Sequence, residues 1–98
     1  MPVISLLSDF GSRYAYVAQV KGRLLNLCPG RTLVDVSHEA HALPTAAWLN
    51  HTTWRHFPPG SLHLVMVEPG AHSATLLIEQ AGHFFIGPDN GVLSFVLP

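Results

Sequence analysis

At 98 residues the chain has room for one domain, and a chain of this size buries only about 60 to 65% of the surface its unfolded form exposes. A hydrophobic share of 48% against 11% charged residues excludes a disordered segment, while no apolar run approaches the ~18 residues that cross a membrane. Five Lys and Arg against six Asp and Glu leave a net charge of −1, with the basic residues scattered, which argues against a nucleic-acid platform, and the lone Cys28 excludes an internal disulfide framework.

The chain opens on Met1-Pro2-Val3-Ile4 without a basic n-region or a small-residue cleavage site, so no secretory leader is expected and a cytoplasmic location is. Val3 to Leu7 is a continuous apolar run entering Ser8-Asp9-Phe10-Gly11, the pattern of a strand buried on both faces that emerges into a polar loop. Ser12 reads as an N-cap, and Val17, Val20, Leu24 and Leu27 recur at helical spacing until Pro29-Gly30 ends the helix. Thr32 to Val36 supplies a second strand leading into Ser37-His38-Glu39, and strand-helix-strand order predicts a right-handed parallel crossover. Asp35, inside that strand, reads as a buried, hydrogen-bonded structural group, because an unpaired carboxylate there is costly.

Thr45 to His56 reads as a second helix, with Trp48 and Trp54 packing it on the sheet. After Pro58-Pro59-Gly60, Leu62 to Val67 gives a third strand that leaves at Glu68-Pro69-Gly70. Thr75 to Glu79 and His83 to Ile86, joined by Gln80-Ala81-Gly82, read as a β-hairpin. Asp89-Asn90-Gly91 is a turn, and Val92 to Leu97 opens a helix or a strand. No repeat or interdomain linker interrupts this order. The predicted fold is a three-layer, Rossmann-like α/β domain with a mostly parallel central sheet and a β-hairpin. Ligands of open α/β sheets bind outside the carboxyl ends of the strands, so the loops at Asp9, His38 and Glu68 form the expected site.

Those loops carry a resemblance. Ser8-Asp9-Phe10-Gly11, Val34 to Glu39, Phe57 to His63, Glu68-Pro69-Gly70 and Gly87-Pro88-Asp89-Asn90-Gly91-Val92-Leu93 follow the order and spacing of the S-adenosyl-L-methionine hydroxide adenosyltransferases, a family related to the fluorinase and chlorinase. The resemblance implies displacement of L-methionine from S-adenosyl-L-methionine by water or halide, with no external cofactor. It also implies a trimer in which the N-terminal α/β domain meets a neighbour's C-terminal β-barrel. On this reading residues 1–98 are a partial N-terminal adenosyl-binding domain without the barrel.

The same resemblance assigns Asp9, with Phe10 beside it, to the adenosyl ligand. A carboxylate offers two acceptor oxygens to the two ribose hydroxyls. The alternative for Asp9 is loop closure by accepting backbone N–H bonds. Water-using members carry an Asp before Pro-Gly and an Arg seven residues later, and here those positions are Glu68 and Thr75. Glu68 is the candidate catalytic carboxylate, one methylene longer than the family's. Thr75 supplies no cation, which weakens water activation more than adenosyl binding. His72 lies between them and reads as an exposed loop residue. His38 and His41 lack any accompanying metal motif, so no metal site is expected, and Cys28 reads as a small buried hydrophobe. The rival to an enzyme is a non-catalytic adenosyl-binding or oligomerisation module, or an inactive fragment. Two helices also leave sheet surface uncovered, from which self-association, trimeric by resemblance, is expected.

Overall fold

The computed structural model describes residues 2–67 and 74–96. Its centre is a five-stranded sheet in the order β2-β1-β3-β5-β4. The strands are β1 (Val3–Ser8), β2 (Thr32–Ser37), β3 (Leu62–Met66), β4 (Thr75–Gln80) and β5 (His83–Pro88). β1 runs parallel to β2 and β3, and β3 runs parallel to β5, while β4 closes the edge antiparallel to β5. The predicted α/β architecture, with its mostly parallel sheet and hairpin, is the one observed.

Helix α1 (Tyr16–Leu27) covers one face and α2 (Leu43–Thr53) the other, followed by a 3-10 turn at Trp54–His56. On the α2 face, Leu7, Val65, Val67 and Phe85 of the sheet and its strand ends pack with Ala40, Ala46, Trp54, Val92, Leu93 and Val96. On the α1 face, Ile4, Leu6 and Leu62 are buried under Leu24 and Cys28, with Leu64, Met66 and Ile86 only partly covered. The period-2 alternation of strand side chains assigns these sets, so β1 and β3 contribute to both cores, as their largely apolar runs, broken by Ser5 and His63, suggest.

Several local expectations are corrected. Ser12 does not cap α1: the helix begins at Tyr16 behind Ala15, with no side-chain cap bond. Gly11 holds a φ of +71° and its N–H donates to the His38 carbonyl at 2.6 Å, so the chain is still completing the β1 exit loop at Ser12. Leu27 is 69% exposed. At 100° per residue it falls roughly 80° off the stripe begun by Val17, whereas Cys28 returns to within roughly 20° of it and packs inward. α2 starts earlier than expected because Pro44 suits a first helical turn. Trp48 stands 60% exposed, and only Trp54, 2% exposed, packs on the sheet. Small Ala46 and Ala47 are buried instead, with Ala46 in the core under the sheet.

Asp35 is not buried: β2 is an edge strand, and the carboxylate side chain is 41% exposed and paired with Lys21 and His38. The hairpin turns on Ala81 and Gly82, with φ of +53° and +80°, so Gln80 stays in the strand opposite His83. Positive φ at both central residues is the condition of a type I′ turn. The segment after Gly91 forms neither a long helix nor a strand but a 3-10 turn at Ser94–Val96, with Val92, Leu93 and Val96 buried.

Candidate functional site

Parallel pairing sends the carboxyl ends of β1, β2, β3 and β5 to one edge, which gathers Asp9, His38, Val67 and Asn90 into one loop cluster. Backbone bonds stitch these loops together. Asp9 N–H donates to Met66 O at 3.4 Å, and Ala40 N–H donates to Ser8 O at 3.2 Å. The Asn90 amide donates to Val67 O at 2.9 Å, while its oxygen accepts from Val92 N–H at 3.1 Å. Asn90 is therefore more than a turn former, since it fixes the β5 exit to the β3 exit.

Asp9 and Phe10 are both half-buried in the β1 exit loop. Phe10 stands between two depressions. A cavity of about 230 Å³ is lined by Phe10, Leu64, Met66, Thr75, Ile86 and Gly87 among others. An open groove of about 430 Å³ runs along α1 past Phe10, Tyr16, Gln19, Val20, Arg23 and Leu24. The Phe10 and Tyr16 rings lie 6.3 Å apart across the junction. Drug-sized ligands occupy pockets of about 300–1,000 Å³, so the smaller cavity holds part of such a molecule. Its walls are mostly apolar, suited to a flat, weakly polar moiety.

Thr75 opens β4 opposite Pro88 and joins the wall of that cavity, bringing it together with Phe10. Glu68 and His72 lie outside the described residues. Gly87 is required for closeness: a Cβ there would come within 3.1 Å of the Val65 carbonyl oxygen and 3.3 Å of Leu93.

A polar chain that sequence reasoning missed lies beside Asp9. The Ser8 hydroxyl and His38 Nδ1 are 2.5 Å apart, His38 Nε2 and Asp35 Oδ1 are 2.7 Å apart, and Lys21 Nζ donates to Asp35 Oδ2 at 2.5 Å. Ser8, fully buried, also accepts from the Phe10 N–H at 3.3 Å. Burial acts to raise the Asp35 carboxyl. Hydrogen bonds from His38 and Lys21, together with the Lys21 charge, outweigh that effect and hold it below the ordinary carboxylate value. His41 pairs with Glu39 at 2.7 Å. Among the described residues, no group of His, Cys, Asp and Glu is arranged to hold a metal ion. No helix of the described residues is long and apolar enough to cross a membrane.

The chain is similar in sequence and fold to several known proteins. The family model described as the SAM hydroxide adenosyltransferase N-terminal domain matches residues 4–98. An (R)-S-adenosyl-L-methionine hydrolase of Methanocaldococcus jannaschii is 32% identical over 98% of this chain and 40% of its own length. One of Thermus thermophilus is 36% identical over 96% of this chain and 38% of its own. A fluorinase of Actinoplanes sp. is 35% identical over 82% of this chain and 29% of its own. The fold superposes on the crystal structure of an uncharacterized conserved protein from Thermotoga maritima with a TM-score of 0.86, at 28% identity over 95% of this chain and 38% of the other. The chain thus spans about two fifths of the length of the curated hydrolases it matches.

Proposed function

Because the chain belongs to the SAM hydroxide adenosyltransferase N-terminal domain family, we propose that its strand-exit edge binds the adenosyl group of S-adenosyl-L-methionine or a related nucleoside. The observation that carries this reading is the convergence of family-motif positions on one edge. Phe10 and Thr75 line one cavity, and Asp9 is tied to Met66 on its wall. In this reading Asp9 accepts the ribose hydroxyls and Phe10 offers an aromatic face to the base or sugar. No external cofactor takes part, and the intact relatives' reaction would be attack at C5′ with loss of methionine. Rate in such a reaction comes from positioning and a desolvated nucleophile, because a sulfonium is already a good leaving group.

Calorimetric titration with adenosine tests the binding. Asp9→Ala removes charge-assisted hydrogen bonds worth about 1.5 to 3 kcal/mol, so affinity should fall by roughly one to two orders of magnitude. Wild-type affinity in a folded Asp9→Ala protein would reject the assignment.

A second reading, binding without turnover, is favoured by one observation: neutral Thr75 lines the cavity at the position where water-using members carry Arg. Glu68 is then a carboxylate without its cationic partner, and the 98-residue chain by itself should hydrolyse S-adenosyl-L-methionine little or not at all. Chromatography for adenosine and methionine after long incubation separates the readings. Fast turnover would restore Glu68 to a catalytic role. We also place the domain in a homo-oligomer, trimeric on the family pattern, and in the cytoplasm.

A further inference from the structure

We propose that Asp35 and His38 are positioning residues that act through Ser8 to hold the Asp9–Phe10 loop in its ligand-receiving form. The inference rests on the adenosyl-binding reading for its consequence, but its physical content is independent of any ligand. With a neutral His38 ring, the partners set the direction of every bond. Asp35 is an ionised acceptor, so the proton on the side facing it belongs to His38 Nε2. Nδ1 of the neutral ring is then a lone pair, which the Ser8 hydroxyl 2.5 Å away must fill by donating. The oxygen of that hydroxyl, its proton thus directed, accepts the Phe10 N–H. Lys21 completes the far end by donating to the second Asp35 oxygen. The order is Phe10 N–H to Ser8, Ser8 to His38, His38 to Asp35, with Lys21 also donating to Asp35.

Ser8 is fully buried, so it is no nucleophile despite its Ser-His-Asp company. What it can do is transmit. Its carbonyl also accepts the Ala40 N–H. One residue therefore ties the β1 exit loop by its hydroxyl and the β2 exit loop by its backbone. Gly11 N–H donating to the His38 carbonyl at 2.6 Å closes the loop from its other side. The segment from Ser8 to Gly11 is consequently held at both ends by His38, once through the ring and once through the backbone. A loop whose hydrogen bonds are formed before the ligand arrives does not lose that freedom on binding.

The test uses the 98-residue protein and adenosine as the probe. His38→Phe keeps the ring volume but removes both nitrogens. Asp35→Leu removes the acceptor at an exposed position where folding should survive, and Asp35→Asn keeps an acceptor oxygen. We expect about tenfold weaker adenosine binding for His38→Phe and Asp35→Leu, the scale of one lost hydrogen bond, with Asp35→Asn within about threefold of wild type. Hydrogen exchange at the Phe10 amide should quicken in the two weak variants, and nitrogen NMR of wild-type His38 should show the Nε2–H tautomer. An Nδ1–H tautomer, wild-type affinity in folded His38→Phe or Asp35→Leu, or an Asp35→Asn as weak as Asp35→Leu would each overturn the relay. Absence of adenosine binding in the wild type would instead reject the functional reading, and the Phe10 exchange rates would then decide the relay alone.

Discussion

Mild acid should destabilise this domain through His63, a residue far from the strand-exit edge. Its imidazole is 1% exposed on β3, with the Ser5 hydroxyl 2.6 Å from Nδ1 and His83 Nδ1 3.0 Å from Nε2. Phe85 stacks on it at 4.9 Å and Phe57 meets it at 5.4 Å, leaving no room for water to solvate a cation. The nearby His83 packs edge-on against Trp54, which also meets Phe85 edge-on and has the Arg55 guanidinium over its ring. Burial first, and then repulsion from His83, lower His63 from 6.5 to about 4, and burial lowers His83 as well. The unfolded chain therefore takes up this proton near pH 6.5, while the folded chain resists until about pH 4. Between those values the unfolded state holds more protons, so stability is complete above about 6.5, falls as the pH drops, and levels off below about 4. At 1.36 kcal/mol per pH unit the loss is roughly 2 kcal/mol at pH 5 and roughly 3 kcal/mol at pH 4. Domains have only about 5–15 kcal/mol of total stability, so such a loss is readily measured. Urea unfolding at about pH 7.5 and about pH 5 provides the assay, with His63→Gln as the non-titrating comparison. The variant should start less stable and show a shallower decline, shallower by roughly 2 kcal/mol. A wild-type midpoint that does not move, or a His63→Gln decline as steep as the wild type's, would refute the reasoning.

Gly87→Ala should cost about 1–3 kcal/mol, because its methyl group would press on the Val65 carbonyl and Leu93 within β-sheet that cannot open locally; urea unfolding reads the loss, and a neutral result would mean that β5 shifts freely. Ala81→Asn should raise stability by up to about 1 kcal/mol, since Ala81 holds a φ of +53° that Asn tolerates better, and an unchanged thermal midpoint would count against this. Light scattering across a dilution series should show a discrete oligomer, trimeric if the family pattern holds, because Trp48, Leu77 and Phe95 are 60%, 70% and 53% exposed. A well-folded, strictly monomeric species at high concentration would contradict that expectation.

The parts of this fold that were legible in the sequence are those governed by short periods. Largely apolar runs mark β1 and β3 because both faces of a central parallel strand are covered, and the hairpin shows itself through Gly82 between two strand-like segments. Apolar residues alone do not say which way a helix faces. Trp48 and Leu27 are apolar and sit in helices, yet the rotation of their helices carries them to the surface, while Ala46, Ala47 and Cys28 take the inward positions. Bulk suggests the core, but angular position decides it.

The site was legible in part for a related reason. The place of Asp9 and Phe10 at the β1 exit is legible because the end of a central strand is set by the end of its apolar run. The relay beside them was hidden by one residue of register. Asp35 and His38 are three apart, and in a regular strand they would point to opposite faces. Between Leu6 and Leu7 of β1 the pairing jumps from Asp35 to Ser37, so Val36 is an extra residue in β2. That bulge restores both side chains to one side, where the imidazole reaches back to the carboxylate at 2.7 Å and forward to Ser8 at 2.5 Å. Asp35, which pattern alone buries, is exposed because β2 is the edge strand, and Lys21 of α1 reaches it at 2.5 Å. A polar residue inside an apolar run is therefore informative in a way its own strand cannot reveal. Here the carboxylate's partners come from the helix before β2 and from the loop after it, which follows the bulge.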